Sequence, residues 1–592
     1  MTYQAPVDDI LIALKAAARL DERMAAGLYG DLDADTLTAV VEEAGKFGAE
    51  VLEPLNRVGD KSGNRLENGR VISPEGWAEA YSQFVESGWS ALPCPEAFGG
   101  QGLPEIASMA VGEIWNAANM AFGLCPLLTQ GAIHALEIAG TDAQKALYLP
   151  QMVSGQWTGT MNLTEPHAGS DLGELRTKAV PQGDGTYRIF GTKIFITYGE
   201  HELTENIIHL VLARLPDAPP GTRGISLFIV PKFLANEDGS LGARNDVVCA
   251  GLEHKLGIHA SPTCVMKFGE GDGAIGYLLG AENRGLNTMF YMMNQARLAV
   301  GVQGVAIAER ATQRAEEYAR ERRQGAALGG DKSVMAPIIV HADIRRTLLA
   351  MKALTQASRM ICLATASEID VSHKAADGAA RETAAMKAAL LTPVAKAFST
   401  DNSVEVASMG VQVHGGMGFI EETGAAQYFR DARILPIYEG TNGIQAIDLV
   451  TRKLPLAGGE VMKAYLRELG EMVAEVAASN RPEFGRMAER LQAAVAALGE
   501  ASKWMGGKLA AQPEAALASA QPYLRLFGIA AGGAYLGRSA VLAARTGDGA
   551  SRAVTVARYF AENIATEAPA LKETVISGAD IVLETSGEAL AG

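Results

Sequence analysis

Glu439 is the side chain whose neighbours best equip it to move a proton. Residues 430–445 read Arg-Asp-Ala-Arg-Ile-Leu-Pro-Ile-Tyr-Glu-Gly-Thr-Asn-Gly-Ile-Gln. One carboxylate follows an apolar run (Ile434, Leu435, Ile437) and precedes Gly440, Thr441, Asn442 and Gly443, which read as a turn or a helix N-cap. A carboxylate against an apolar wall is poorly solvated when charged, which raises its basicity and suits it to taking a proton from carbon. Gly440 lets a substrate approach the backbone closely, and free N–H groups near a helix start can hydrogen-bond an oxygen that gains negative charge. Alone, a Tyr-Glu-Gly-Thr run is more often a solvated loop.

Other stretches carry residue types that suit a bound anion or an aromatic ring. Thr164-Glu165-Pro166-His167-Ala168-Gly169-Ser170-Asp171 follows a predicted strand, and a polar strand-end turn is its bland alternative. Phe195-Ile196-Thr197 sets an aromatic and a hydroxyl on another strand, where a lone phenylalanine is more often core. Arg322 closes a long helix in Ala-Arg-Glu-Arg-Arg-Gln-Gly, and an arginine in such a charge run is usually solvated. In Gln412-Val413-His414-Gly415-Gly416-Met417-Gly418-Phe419 the glycines permit close backbone approach, although a helix C-cap explains them equally well. Asn294 and Arg297 lie one helical turn apart. His201 and Glu202 lack the helix and second histidine of a zinc site, and no metal is expected.

The elements that must position these residues change character along the chain. Residues 1–155 read as a helical domain, with Ala-rich stretches at 37–51 and 106–139 carrying apolar residues at three-to-four spacing. The Pro- and Gly-rich segment 95–104 separates helices and lacks the lysine and preceding strand of a phosphate loop. Residues 156–280 switch to a period of two, with strands predicted at 187–190, 193–197, 207–212, 225–230 and 264–268. Helices return in 281–452, at 289–323, 338–366, 382–399 and 403–414, and this bundle carries Glu439. Residues 453–592 predict an extension of about four helices, at 461–478, 485–505, 521–544 and 551–564. The fold class is mostly α with a central β-domain.

The chain has 592 residues, too many for a single core, and a net charge of −16. That charge disfavours nucleic acid and anionic membranes as main partners. Five scattered cysteines, with no Cys-x-x-Cys pair, argue against a disulfide framework and predict a cytoplasmic protein. The first 20 residues carry Asp8 and Asp9 and show no signal peptide. Residues 526–544 are apolar but broken by Arg538, so a buried core helix is expected there and no integral membrane segment.

Taken together, residues 35–452 resemble the acyl-CoA dehydrogenases, flavoenzymes that desaturate an acyl thioester between Cα and Cβ. The resemblance implies a helical domain, a β-barrel-like domain and a helical bundle, with FAD as cofactor. It makes Glu439 the base that takes the α-proton while the β-hydride goes to the flavin. Some relatives carry their base just before the arginine matching Arg297, where this chain has Ala296, so the base must come from Glu439. The resemblance implies flavin contacts for Thr164, Ser170, Phe195, Thr197 and Thr441. It sends Arg322, Gln412, Gly415 and Gly416 to the flavin of a neighbouring subunit, and so implies a homo-oligomer, dimer or tetramer. The phenylalanine of the family's Glu-Arg-x-x-Phe-Gly motif is missing after Arg322. Asn294, Arg297, Tyr438 and Gly440 are implied at the acyl-CoA, and an electron-transfer flavoprotein as acceptor.

Residues 3–11 and 194–206 look like the bacterial subgroup that includes 3-methylmercaptopropionyl-CoA dehydrogenases, which makes that thioester or a short- or medium-chain acyl-CoA the expected substrate. Three other classes share features: an acyl-CoA oxidase would pass electrons to oxygen, flavin-dependent monooxygenases would not need the glutamate, and a DNA-associated alkylation-response flavoprotein would need a basic face.

Overall fold

The computed structural model describes residues 3–546 and 550–591, which divide into two compact units. One comprises residues 47–104 and 118–296; the other comprises 1–46, 105–117 and 297–592. Two long helices contribute to both, α1 (Glu105–Ala139) and α2 (Gly285–Glu321). Helix α1 is broken at Asn119, whose φ of −159° and ψ of 91° leave the helical region. In chain order the fold is helical, then β, then helical, followed by an additional C-terminal helical region.

The first unit is built on an eight-stranded sheet. Its strands are β1 (Trp157–Asn162), β2 (Lys178–Pro181), β3 (Tyr187–Thr197), β4 (Asn206–Ala213), β5 (Ser226–Pro231), β6 (Val247–Leu252), β7 (Thr263–Phe268) and β8 (Ala274–Leu279). They run in the order β6-β7-β3-β8-β5-β4-β1, with β2 on β3, and β1 pairs with β4 in parallel. Every residue of β4 and β5 is buried. Ile208, Leu210, Leu212, Leu227 and Ile229 enter one apolar cluster with Leu149, Met152 and Trp157, while Val211, Ala213, Phe228 and Val230 enter another with Ile189, Met266 and Phe268. That split is the period-two alternation of a sheet covered on both faces. The strands expected at 187–190 and 193–197 are one strand, because Gly191 and Thr192 stay in register with Phe268 and Lys267. A Cβ on Gly191 would lie 2.3 Å from Thr177 Oγ1, so only glycine fits there.

The second unit packs the long helices α3 (Ala342–Lys374) and α4 (Gly378–His414) beside the shorter α5 (Asn442–Asp448). The two helices expected at 382–399 and 403–414 are the single α4. Its polar middle is satisfied internally: Thr400 Oγ1 donates to the Lys396 carbonyl (2.8 Å) and Asn402 Nδ2 to Ser358 Oγ (3.0 Å). The extension centres on α6 (Ala520–Thr546), packed by helices 460–479, 487–511, 550–559 and 568–577. The last of these, with shorter pieces at 513–518, 579–584 and 587–591, goes beyond the four helices expected. Glycines let α6 pack closely: a Cβ on Gly528 would overlap Phe398 at 2.2 Å. Arg538 is accommodated by Glu22, at 2.6 Å. Two helices, 105–139 and 520–545, are long and apolar enough to cross a membrane, and the apolar windows of both are mostly buried. All five cysteines are buried and free.

Candidate active site

The Glu439 turn is a strained loop fixed at both ends. Thr441 caps α5, its Oγ1 accepting from the Ile444 N–H (3.3 Å), as the Gly-Thr-Asn-Gly run predicts. The Asn442 N–H closes the loop onto the Pro436 carbonyl (3.0 Å). Glu439 and Gly440 both lie in the left-handed region, at φ 57° and 82°. A glutamate held there costs on the order of 1–3 kcal/mol, which the surroundings must offset. The Glu439 carbonyl accepts from Gln445 Nε2 (3.2 Å) and the Gly440 carbonyl from Lys396 Nζ (3.0 Å). A Cβ on Gly440 would press within 2.8 Å of Gln445 Nε2, so glycine is required there twice over. Tyr438 turns its hydroxyl to Gln303 Oε1, and Gln303 Nε2 continues to Asn116 Oδ1 (3.0 Å).

Glu439 as a residue is half-buried, yet its Oε2 is sequestered and accepts no hydrogen bond among the described residues. Burial pushes its carboxyl up to about 7, against the opposing pull of the Arg297 and Lys396 cations. Arg297 is buried on α2 and faces Asp448 at 3.7 Å. The Glu439 N–H makes no hydrogen bond among the described residues, leaving a donor beside the carboxylate. This arrangement is a poorly solvated base held by cations that stop short of hydrogen-bonding it.

In the β unit, Thr164 and its loop are pinned by their own glutamate. Glu165 and Ala168 exchange two backbone hydrogen bonds of 3.0 Å around Pro166 and His167. The buried Glu165 carboxylate accepts from Thr177 N (3.0 Å), Thr177 Oγ1 (2.5 Å), Arg176 N (2.8 Å) and Lys193 Nζ (2.8 Å). Burial pushes that carboxyl up, but Lys193 and the other donors outweigh it and hold it below the ordinary range. Ser170 is exposed and Thr164 half-buried. The Thr164 carbonyl accepts from Ile194 N (2.9 Å), which brings this loop beside the next motif.

That motif contains a β-bulge. Ile196 pairs with Cys264 and Lys193 with Met266, so Ile194 and Phe195 together oppose Val265. Phe195 takes φ 61° and is 58% exposed, while Ile196 is buried. The bulge thus throws one aromatic face outward from an otherwise buried strand. Thr197 is half-buried opposite Thr263.

The remaining candidates lie apart from the Glu439 turn. Arg322 follows the last residue of α2 rather than ending it, and its exposed guanidinium is 3.5 Å from Gln324 Oε1. Gln412, Gly415 and Gly416 are exposed at the end of α4, with open space at both glycines and φ 58° at Gly415. His414 serves the turn: its Nδ1 meets the Gly410 carbonyl at 2.7 Å and its ring stacks on Tyr318 at 4.4 Å. That stack joins the ends of α2 and α4 and so brings Arg322 and the glycines to one end of the bundle. Asn294 is exposed on α2. His201 Nε2 bonds Thr158 Oγ1 (2.9 Å) and Glu202 accepts from Ser73 N (2.7 Å).

Four supporting residues were not singled out from sequence: Lys396, Gln445, Gln303 and Lys193. Lys396 had a visible signal, a single charge in the otherwise uncharged run 388–400.

Comparison with known proteins covers nearly the whole chain. It matches "Acyl-CoA dehydrogenase, N-terminal domain" over residues 34–156, "middle domain" over 160–270 and "C-terminal domain" over 283–454. Residues 466–586 match "Acetyl-CoA dehydrogenase C-terminal like". The chain is 49% identical over 592 residues to the 3-methylmercaptopropionyl-CoA dehydrogenase of Ruegeria pomeroyi, covering 99% of this chain and 100% of that one. A butyryl-CoA dehydrogenase of Syntrophomonas wolfei is 36% identical over 505 residues, 84% of this chain and 82% of that one. A solved acyl-CoA dehydrogenase of Bacillus anthracis, complexed with FAD, shares the fold with a TM-score of 0.74 at 20% identity, over 96% of this chain and 92% of that one.

Proposed function

The chain belongs to the acyl-CoA dehydrogenase family, and from that premise we propose that Glu439 takes the α-proton of 3-methylmercaptopropionyl-CoA or a similarly short acyl-CoA. The reaction is FAD-dependent dehydrogenation of an acyl-CoA thioester between Cα and Cβ. The observation that carries the assignment of the base is the sequestered Glu439 Oε2, held without a hydrogen bond in a left-handed turn. The choice of thioester rests on the 49% identity to the Ruegeria protein over its full length.

In this reading Glu439 removes the proton, and its own N–H, with no other bond to make, donates to the thioester carbonyl as negative charge grows there. Arg297 keeps the carboxylate ionised in its apolar surroundings. Tyr438, fixed by Gln303, walls the acyl group, Gly440 leaves room for it, and the exposed Asn294 meets the CoA portion.

The chain's residues fit FAD on their own chemistry. Phe195 offers a flat exposed face, Thr164, Thr197 and Thr441 offer hydroxyls, and Ser170 sits in an open glycine-containing turn. Arg322 offers an uncommitted planar cation suited to a pyrophosphate, and the open backbone at Gly415 and Gly416, beside Gln412, suits a nucleotide. When bound, FAD supplies the acceptor for the β-hydride. Arg322, Gln412, Gly415 and Gly416 act on the flavin of a second copy, so the working form is a homodimer or a higher homo-oligomer. An electron-transfer flavoprotein reoxidises the enzyme, and the buried free cysteines suit the cytoplasm.

The test is anaerobic bleaching of the bound flavin by a panel of acyl-CoAs that includes 3-methylmercaptopropionyl-CoA and butyryl-CoA, with E439Q as control. Fastest bleaching by the thioether substrate, lost in E439Q, is expected. Normal bleaching by E439Q removes Glu439 as base, and a clear preference for butyryl-CoA removes the substrate.

A further inference from the structure

Lys396 is fully buried in the middle of α4, in a stretch of apolar and hydroxyl residues. A buried ammonium needs compensation, and two other buried lysines show the ordinary solution: Lys193 bonds Glu165 at 2.8 Å, and Lys232 bonds Glu200. Lys396 makes no such ion pair among the described residues. Its Nζ donates instead to the Gly440 carbonyl (3.0 Å) and to Asn442 Oδ1 (2.8 Å). Both acceptors belong to the turn that carries Glu439.

Asn442 is held in its own right, donating to the Ala397 carbonyl (3.2 Å), Thr400 Oγ1 (2.9 Å) and Asp401 Oδ1 (2.7 Å). Asp401 in turn accepts from Gln521 Nε2 on α6 (3.2 Å), so the C-terminal extension braces the same network. The Glu439 carboxyl faces the cations of Arg297 and Lys396. Arg297 faces Asp448 and feels Arg452, while Lys396 feels Asp401, which feels Arg525.

We propose that Lys396 is a positioning residue for Glu439, holding the left-handed turn through the Gly440 carbonyl and setting the proton affinity of the carboxylate as its second buried cation. The proposal rests on Glu439 being the base. It explains why this lysine is left without a bonded carboxylate: a direct ion pair would consume the negative charge that has to accept a proton. Burial lowers Lys396 itself to about 7, with Glu439 and Asp401 opposing, as expected of an ammonium shielded from water.

K396Q keeps a side-chain donor for the Gly440 carbonyl and loses the charge, whereas K396R keeps the charge. The readout is the pH profile of the anaerobic flavin-reduction rate, with flavin content and Tm measured on each holoenzyme. Without the cation the carboxylate holds its proton more tightly. The acidic limb of K396Q should therefore move up by about one pH unit, a roughly tenfold loss near pH 6 that disappears by pH 9. K396R should restore the limb. If K396Q does not fold, N442D carries the same test, because it retains Lys396 and sets an anion against its Nζ; its limb should also move up. An unmoved limb, or an equal loss at every pH, overturns the proposal. If E439Q instead bleaches normally, it is the assignment of the base that fails.

Discussion

The two units each contain a buried lysine close to a glutamate, and the pairs behave in opposite ways. In the β unit Lys193 bonds Glu165 directly at 2.8 Å, three further donors converge on the carboxylate, and its pKa lies below the ordinary range. In the helical unit Lys396 bonds the backbone around Glu439, Oε2 accepts nothing, and the carboxyl rises to about 7. Burial raises both; the difference lies in whether donors reach the oxygens. A saturated carboxylate is a structural fastener, and an unsaturated one beside remote cations remains a base.

Exchanging the charge at each glutamate should separate these roles. E439Q is expected to slow flavin reduction by acyl-CoA about 10²–10⁴-fold, measured by anaerobic stopped flow, with little loss of Tm. E165Q should do the reverse to the fold: it leaves the Lys193 ammonium buried without its anion and should cost about 3–5 kcal/mol in urea unfolding. If E165Q unfolds at the wild-type midpoint, the fastener reading of that pair is wrong.

Stability against pH sharpens the contrast. Glu439 titrates near 7 when folded and near its ordinary 4.5 when unfolded, so the folded state holds the extra proton. Its contribution is therefore present at low pH and is lost as pH rises from about 4.5 to 7. Glu165, depressed when folded, contributes above its ordinary value and loses that contribution as pH falls. Glu105 and Asp370, raised to about 8 and about 6, slope the same way as Glu439, so the difference between wild type and E439Q isolates the one group. Urea midpoints from pH 4.5 to 7 should fall less steeply in E439Q, and parallel curves would contradict the raised value.

What the sequence made legible was local. The N-cap at Thr441, the positive φ of Gly440 and the apolar run of β4 each follow from neighbouring residues, and the structure has all three. The apolar context of Glu439 likewise announced a basic carboxylate. The roles of Lys396 and Lys193 were hidden because their partners are distant: Lys396 reaches Gly440 across 44 positions and Asn442 across 46, and Lys193 reaches Glu165 across 28. Strand and helix boundaries failed where a tertiary contact overrode a local break. Gly191, read as an interruption, stays in the ladder against Phe268, and the polar stretch 400–403 continues α4 because its side chains bond within the bundle. The outward face of Phe195 was unreadable for a further reason: alternation assigns faces only while the register holds, and the bulge opposite Val265 breaks it.

The smallest expected effect compares backbone strain between the units. Phe195 and Glu439 are both non-glycine residues at φ near 60°, and each is the residue its unit presents for chemistry. Phe195 is 58% exposed and buries little, so F195G loses little packing while relieving its left-handed backbone. Relief is worth about 1–2 kcal/mol and the added freedom of glycine in the unfolded chain takes back about 0.5–1, leaving a gain of up to about 1 kcal/mol in the flavin-free protein. The same variant should release flavin more readily, read by fluorescence on dilution, because the aromatic face is gone. A gain in stability with unchanged flavin retention would make Phe195 a strained surface residue with no part in holding the cofactor, and the strain in the two units would then have different origins.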